Sequence, residues 1–252
     1  MARSPSGDSL IERVVRILEA FDPDTPALTI GELAARADLP SSTTSRLVEQ
    51  LVAHGLLRRD DERRVRVGVR LWELASRASP TLALRQVAMP FMEDIQAVVG
   101  HHTQLGVLDG REVLFLERLS ARGAVINLTK VAGRLPLHAS SGGLVLLAHA
   151  PRPLREAVLA APLRPFTPAT VTDPETVRRL LADIRHQGHA LCAGFIDPAA
   201  TGIAVPVRDP LGRVMAALSV VVPNDPDAWT HIGVLRTAAR GLERALRAPR
   251  AP

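Results

Sequence analysis

Apolar residues recur at helical spacing in two stretches near the start of the chain. In the first, Ser9 stands three residues before Glu12, the spacing of a capping box. This pattern predicts a helix that the prolines of "DPDTP" end. In the second stretch, Thr29 and Glu32 repeat the spacing and open a helix that runs through Ala37. The apolar positions of the first helix are Leu10, Ile11, Val14, Ile17, Leu18 and Phe21.

A third helix is predicted from about Ser41 to His54, and a glycine ends it in the position where helices favour that residue. Two short apolar segments follow, Leu56–Arg59 and Val65–Gly68. They flank a charged turn at Asp60–Arg63, so they are predicted to form a hairpin. Three helices followed by a hairpin indicate a winged helix-turn-helix domain over residues 1–68.

The rest of the chain predicts a linker helix at 69–80, a mixed domain at 81–248 and a tail at 249–252. The predicted helices of the mixed domain are "TLALRQVAMPFMEDIQAVVG", one beginning near Ser141, "TDPETVRRLLADIRHQG" and Asp227–Arg247. Its predicted strands are "TQLGVL", "EVLFLERL", "AVINLT", "GIAVPV" and "VMAALSVVV". This order favours an antiparallel sheet with helices packed on it, and hence an α+β fold class.

The third helix has two faces of different character. The face expected to pack against the first two helices holds Thr44, Leu47, Val48 and Leu51. The opposite face holds Ser42, Ser45, Arg46 and Glu49, with Thr43 at its border. Small hydroxyls let a helix enter a major groove, where arginine commonly reads guanine. The predicted DNA contacts are therefore Ser41, Ser42, Thr43, Ser45 and Arg46; the alternative is a solvated face whose serines cap the helix.

Arginines crowd the hairpin beside this helix. Residues 41–70 hold seven arginines against four acids, whereas residues 1–40 hold four arginines against seven acids. A local cluster indicates nucleic-acid binding better than the overall net charge of +5 does. We expect Arg58, Arg59, Arg63, Arg64 and Arg66 to hold phosphates or to enter the minor groove. Thr29, at the start of the second helix, is a further candidate contact.

Composition narrows the function classes. At 252 residues and 46% apolar, the chain supports two modest domains with real cores. No signal peptide or membrane span is visible, so we expect a soluble, cytoplasmic protein with no membrane association. Cys192 is the only cysteine, which excludes an internal disulfide and argues against a zinc site. We expect that the protein binds no metal and no cofactor and is not an enzyme, because GxSxG, GK[ST] and HExxH motifs are absent.

The sequence resembles the IclR-type transcriptional regulators over nearly its whole length. The resemblance rests on "SLIERVVRILEAF", "LTIGELAARADLPSSTTSRLVEQLVAHGLL", "RLPLHASSGGLVLLAH" and "GIAVPVRDPLGRVMAALSVVVP". It implies an N-terminal winged helix, a linker helix and a GAF-like domain that binds a small effector, often an organic or aromatic acid. It also implies dimers, or dimers of dimers, that repress or activate nearby genes.

The resemblance further implies an effector pocket between the sheet and the loop that leads into the "ASSGG" helix. Backbone N–H groups at that helix start suit a carboxylate; the alternative is an ordinary helix start with small residues for close packing. Ser219 is either a ligand contact or a bonded core hydroxyl, and Cys192 either lines the pocket or is a buried hydrophobe. The implied effector-binding residues are Leu128, Ser140, Ser141, Gly142, Gly143, Asp197 and Ser219.

Three function classes compete for this sequence: a DNA-binding regulator, an enzyme and a pure interaction module. The hydroxyl face and the resemblance favour a ligand-responsive regulator, expected to repress adjacent catabolic or metabolic genes. One reading helix covers few base pairs, so we expect a homo-oligomer on a near-palindromic DNA operator. The apolar residues expected to meet across the dimer are Leu10, Val14, Val15, Phe21, Leu71, Trp72, Leu74 and Ala75.

Overall fold

The computed structural model describes residues 8–22, 24–125, 127 and 129–248. The chain divides into two compact units between Ser79 and Pro80, each with its own core. The predicted linker helix at 69–80 therefore ends inside the first unit, and Pro80 begins the next helix. Leu128 and the predicted tail at 249–252 lie outside the described residues. No helix in the described part of the chain combines the length and apolarity needed to cross a bilayer.

The first unit is a bundle of short helices with a small hairpin. Its helices are α1 (Leu10–Glu19), α2 (Ile30–Ala37), α3 (Ser41–Ala53) and α4 (Val69–Ala78). Its strands are β1 (Leu57–Arg59) and β2 (Val65–Val67), which pair antiparallel. Capping boxes begin α1 at Ser9 and α2 at Thr29, as the spacing predicted. Asp38 ends α2 in the left-handed conformation, with φ 50°.

The core of the first unit joins one face of α1, α2 and α3 to the inward side of the hairpin. Ile17, Leu33 and Val48 are fully buried there, and Val65 of β2 closes the core from the hairpin. Val65 also exchanges backbone hydrogen bonds with Leu28 at 3.0 and 2.7 Å. These bonds hold the hairpin against the helices, so the position of the wing relative to α3 is fixed.

The second unit is built on one six-stranded antiparallel sheet. Its strands are β3 (His102–Asp109), β4 (Glu112–Ser120), β5 (Arg134–Pro136), β6 (Ala190–Ala193), β7 (Ala200–Arg208) and β8 (Val214–Pro223). They lie in the order β5-β4-β3-β8-β7-β6. Its helices are α5 (Pro80–Val99), α6 (Ser141–His149), α7 (Arg152–Leu159), α8 (Pro174–Gln187) and α9 (His231–Arg247), with a 3-10 turn at Ala228–Thr230.

Helices cover both faces of this sheet and create two separate cores. One core lies under α5 and α9 and includes Met92, Ile203 and Leu235. The other lies under α6 and α8 and includes Phe115 and Leu144. Apart from His149, every residue of α6 is buried, so this helix is the central element of its layer.

The prediction for the second unit was wrong in two places. The segment "AVINLT" was predicted as a strand, but its described residues form a loop. Arg118 of β4 donates to the carbonyl oxygens of Asn127 and Thr129, and these bonds replace the ladder of a strand. The short elements β5, β6 and α7 were missed, because three to eight residues carry little periodic signal.

Candidate functional sites

One candidate site is the outward face of α3. Thr44, Leu47, Val48 and Leu51 are buried, as predicted, which directs the opposite face outward. Arg46 and Ser42 are exposed. Within the described structure, the side chains of these outward residues make no hydrogen bond or ion pair, so they are free to meet a ligand. The predicted contacts on this face are Ser41, Ser42, Thr43, Ser45 and Arg46.

The start of α3 has no side-chain cap. Its N-cap is Pro40, whose side chain cannot accept a hydrogen bond, so the alternative in which the serines cap the helix is wrong. The backbone N–H groups of Ser41, Ser42 and Thr43 have no partner in the described structure. Uncapped N–H groups and the positive end of the helix dipole favour an anion such as a phosphate.

The hairpin arginines differ in how they are held. Asp60 accepts a hydrogen bond from Arg66 Nε at 2.9 Å, and Arg64 pairs with Asp60 and with Glu62. Partial burial opposes ionisation of Asp60, but the bonds from Arg66 and Arg64 outweigh it and keep the pKa of this carboxyl below its usual value. Arg64 and Arg66 thus have acidic partners that DNA phosphates would have to replace.

Arg58 is exposed and makes no ion pair within the described structure, whereas Arg59 donates to the carbonyl oxygen of Arg63 at 3.3 Å. Thr29 is the N-cap of α2, and its hydroxyl donates to Glu32 Oε2 at 2.9 Å. Its side chain is therefore already engaged in a structural role. Arg46 and Arg58 are the predicted contacts with the least competition from the protein itself.

The second candidate site is a pocket in the C-terminal unit, between the sheet and the start of α6. The space among its walls measures about 540 Å³, part of it open to solvent. Its apolar walls include two phenyl rings, and no arginine, lysine or histidine is among its described lining residues. The lining residues are Gln104, Phe115, Asn127, Thr129, Leu135, Ala139, Ser140, Ser141, Gly142, Cys192, Phe195, Ile196, Asp197, Ala200, Gly202 and Val221.

The start of α6 points into this pocket. Ser140 is its N-cap, and the Ser140 hydroxyl accepts from Gly143 N at 3.1 Å. The N–H groups of Ser141 and Gly142 make no hydrogen bond within the described structure. A Cβ at Gly202 of β7 would lie 2.9 Å from Ser141 Oγ, so the close approach of α6 to the sheet requires a glycine there.

A directional chain of hydrogen bonds forms the polar side of the pocket. Ser219 donates to Gln104 Oε1 at 3.4 Å, and Gln104 Nε2 donates to the Thr129 hydroxyl. That hydroxyl donates to Asn127 Oδ1 at 2.8 Å, and Thr129 N donates to the same oxygen at 3.0 Å. Asn127 Nδ2 is buried and has no hydrogen-bond partner. The chain therefore ends in an unused donor.

Two threonines fix the opposite wall. Thr167 donates to the carbonyl oxygen of Gly194 at 2.6 Å, and Thr170 donates to that of Phe195 at 2.5 Å. Phe195 is thereby held beside Cys192, whose complete burial raises the pKa of its thiol to about 12. Asp197 is the one carboxyl among the described lining residues, and its Oδ1 accepts from Ala199 N at 2.8 Å. No cluster of three or more potential metal ligands occurs among the described residues.

The structure brings most of the implied effector residues together, but not all. Ser140, Ser141, Gly142 and Asp197 line the pocket. Gly143 does not line it, because its N–H is bonded to the cap, and Ser219 lies behind Gln104 as a bonded core hydroxyl. Leu128 lies outside the described residues.

Sequence reasoning missed Gln104, Asn127 and Thr129. The signal for Gln104 was a polar residue in an apolar strand; the other two were hidden by the wrong strand assignment of "AVINLT".

Two family models match this chain. The model of the IclR helix-turn-helix domain matches residues 10–61, and that of the C-terminal part of bacterial IclR transcriptional regulators matches residues 77–239. The chain is 32% identical over 249 residues to the HTH-type transcriptional regulator XynR of Escherichia coli, covering 95% of this chain and 97% of that protein. It is 27% identical over 246 residues to the E. coli HTH-type transcriptional repressor AllR, covering 95% and 91% of the two chains.

A solved structure is also similar over the full length. It is a crystal structure of an IclR homolog from Microbacterium hydrocarbonoxydans, complexed with 4-hydroxybenzoate. That chain is 53% identical in sequence, with a TM-score of 0.91, and the match covers 96% of this chain and all of the other.

Proposed function

We propose that this protein, which belongs to the IclR family of bacterial transcriptional regulators, is a repressor that releases its DNA operator when a small aromatic carboxylate binds its C-terminal unit. As a family member it combines a helix-turn-helix domain that binds DNA with an effector-binding domain. The finer assignments are the repressor role, the effector class and the residues involved. The groups on α3 and in the pocket support the site residues and the effector class, and the similarity to the repressor AllR supports the repressor role.

The outward face of α3 is the observation that carries the DNA-binding role. A row of unbonded hydroxyls, the free Arg46 guanidinium and the uncapped N–H groups are arranged on one exposed helix start. A solvated structural helix gains about 1 kcal/mol from a capping side chain, and α3 lacks one. We assign base contacts to Ser42, Ser45 and Arg46 and phosphate contacts to the N-terminal N–H groups and to Arg58.

The pocket favours a small aromatic monocarboxylate. The free N–H groups of Ser141 and Gly142 at the positive end of α6 suit one carboxylate. Phe115 and Phe195 provide apolar area for a ring, and the described lining residues include no cation, which disfavours a ligand with two or more negative charges. The similar IclR homolog that was crystallised with 4-hydroxybenzoate supports the same class.

The chemistry of the pocket favours binding over turnover. A thiol with a pKa of about 12 is protonated at neutral pH and is therefore a poor nucleophile. Asp197 has no histidine beside it in the described lining, so no base is paired with a nucleophile there. We therefore assign no catalytic activity and place the protein in the cytoplasm, where bacterial DNA lies.

We also propose that the regulator acts as a homo-oligomer. Apolar side chains are exposed on α1 and α4, where Leu10 is 53% and Trp72 67% exposed. A second copy would bury them and would supply a second reading helix for a near-palindromic operator. Val14 and Phe21, also predicted to be available, instead pack against the core of their own unit.

Fluorescence anisotropy tests the DNA-binding role. The full-length protein is titrated into a labelled duplex from the region upstream of its own gene, and into a duplex of the same composition with shuffled sequence. At constant physiological salt we expect about 10³-fold or greater preference for the natural duplex. Equal affinity for both duplexes, and for duplexes from upstream of the neighbouring genes, would contradict a sequence-specific regulator.

A further inference from the structure

Asn127 is held in one orientation by its neighbours. Its side-chain oxygen accepts from Thr129 N at 3.0 Å, and a backbone N–H can only donate. The atom that faces it must therefore be Oδ1, and the amide cannot be flipped. The amino group Nδ2 then points away from Thr129, is buried and has no partner. Asn127 is one of the residues that line the pocket.

The rest of the chain enforces the same direction. The Thr129 hydroxyl uses its proton on Asn127 Oδ1, so Gln104 must present its amino group to Thr129. Gln104 Oε1 then accepts from Ser219. Each member of the chain thus donates onward, and none can reverse to offer Asn127 an acceptor. A buried donor without an acceptor in the protein is costly and rare, so an oxygen that binds at this end of the pocket can satisfy it.

Asn127 and the start of α6 are connected through three neighbouring strands, β8, β3 and β4. Gln104 of β3 is the register partner of Ser219 on β8 and of Arg118 on β4. Ser219 lies beside Gly142 of α6, while Arg118 binds the carbonyl oxygen of Asn127. Ser219 and Arg118 are therefore two strand spacings apart, roughly 10 Å, with Gly142 beside the first and Asn127 bonded to the second. One benzene ring with an oxygen group at each end, plus a hydrogen bond at each end, matches that distance.

We propose that Asn127 is the specificity-determining residue of the pocket, and that it selects aromatic carboxylates with a second oxygen, a hydroxyl or carbonyl, para to the carboxylate. This inference rests on the proposed function, since it takes the carboxylate to lie at the α6 start. Asn127 Nδ2 donates to the para oxygen, and the ring lies between Phe115 and Phe195. Acids with an apolar para substituent leave the donor unsatisfied and bind more weakly.

Isothermal titration calorimetry on the full-length protein tests this with two acids of similar size, 4-hydroxybenzoate and 4-methylbenzoate. The wild type should prefer the hydroxy acid by about tenfold or more, the value of one good hydrogen bond. In Asn127→Ala the preference should fall to within about twofold, with the affinity for 4-methylbenzoate kept or raised. Asn127→Leu, which fills the same space without polar atoms, is the second variant and should behave alike.

Asn224→Ala is the matched control. Both polar atoms of Asn224 are bonded within the protein, to Thr201 and to the carbonyl oxygen of Pro198, and it does not line the pocket. This variant should keep the wild-type preference. Retention of the preference by both Asn127 variants, or equal weakening of both acids, would overturn the role of Asn127 while leaving the aromatic-acid pocket intact. Failure of the wild type to bind either acid would overturn the proposed effector class itself.

Discussion

At the scale of single residues, the arginines of the first unit fall into two groups. Arg64 and Arg66 are ion-paired with Asp60, so their charge is partly neutralised before any DNA arrives. Arg46 and Arg58 have no such partner in the described structure, and both are exposed. Replacing either of these two removes no side-chain hydrogen bond or ion pair seen among the described residues. Their substitution therefore reports on DNA binding with little effect on stability.

We predict that Arg46→Ala weakens operator binding by about 1–3 kcal/mol and relaxes the preference at one or two base pairs, as expected for loss of a base contact. Arg58→Ala is the matched comparison: a phosphate contact should be lost equally for all sequences, with the salt slope shallower by about one unit. Anisotropy titrations over a set of single-base operator variants and several salt concentrations measure both effects. Unchanged sequence preference in Arg46→Ala would remove this residue from base reading.

At the scale of elements, the hydroxyls that begin α2 and α3 have different roles. Thr29 closes a capping box: its Oγ1 accepts from Glu32 N at 3.3 Å, and Glu32 Oε2 accepts from Thr29 N at 2.7 Å. Ser42, in the first turn of α3, makes no side-chain bond in the described structure. The first hydroxyl therefore stabilises the fold, and the second is available for DNA.

Thr29→Ala should lower the free energy of unfolding by about 1 kcal/mol, the usual value of an N-cap. Ser42→Ala should change it by no more than about 0.5 kcal/mol, as for a surface position without partners. Urea unfolding monitored by far-ultraviolet circular dichroism compares the two variants with the wild type. Equal stability losses would mean that Ser42 has a structural role that its surroundings do not indicate.

Local signals explain which elements could be predicted from the sequence. The start of α1 at Ser9 and the end of α8 at Gly188 are set by neighbouring residues, so spacing alone located them. The loop around Asn127 depends on Arg118, which is far away in sequence but close in the fold. The alternating apolar residues of "AVINLT" match the pattern of a strand, and no neighbouring residue in the sequence contradicts that pattern. The unpaired donor Asn127 Nδ2 could therefore not be predicted from the sequence, because it depends on tertiary contacts.

At the scale of the whole molecule, the first unit carries the groups that can contact DNA, and the second unit carries the effector pocket. The first unit exposes unbonded groups for DNA and an apolar surface on α1 and α4, where Ile11 is 74% and Val69 67% exposed. The second unit forms a pocket in which, among the described residues, Ser141 N, Gly142 N and Asn127 Nδ2 lack acceptors. A ligand in the pocket can alter DNA affinity only if it binds one arrangement of the oligomer better than another.

Light scattering of the pure protein at micromolar concentration should give a mass of at least twice the 27.1 kDa of one chain. Trp72→Glu should shift the protein toward monomers, because a buried aromatic residue contributes strongly to an interface and a carboxylate there would be desolvated. Thr237→Glu is the control, because it introduces the same carboxylate at an exposed position of α9. It should not affect association through the first unit. A monomeric wild type that still bound its operator tightly would contradict assembly as the basis of DNA recognition.

The central claim is that occupation of the pocket controls the operator. The most direct measurement is operator affinity at constant salt, with and without saturating 4-hydroxybenzoate, for the wild type and for Gly202→Val. In this variant a Cβ would lie 2.9 Å from Ser141 Oγ, so the start of α6 must shift and the pocket beside it is altered. When 4-hydroxybenzoate is added, we predict that the wild type loses at least fivefold in operator affinity, the lower range of allosteric coupling. The operator affinity of a Gly202→Val protein that still binds DNA should not change. Unchanged wild-type affinity, with calorimetry confirming that the acid is bound, would contradict the account.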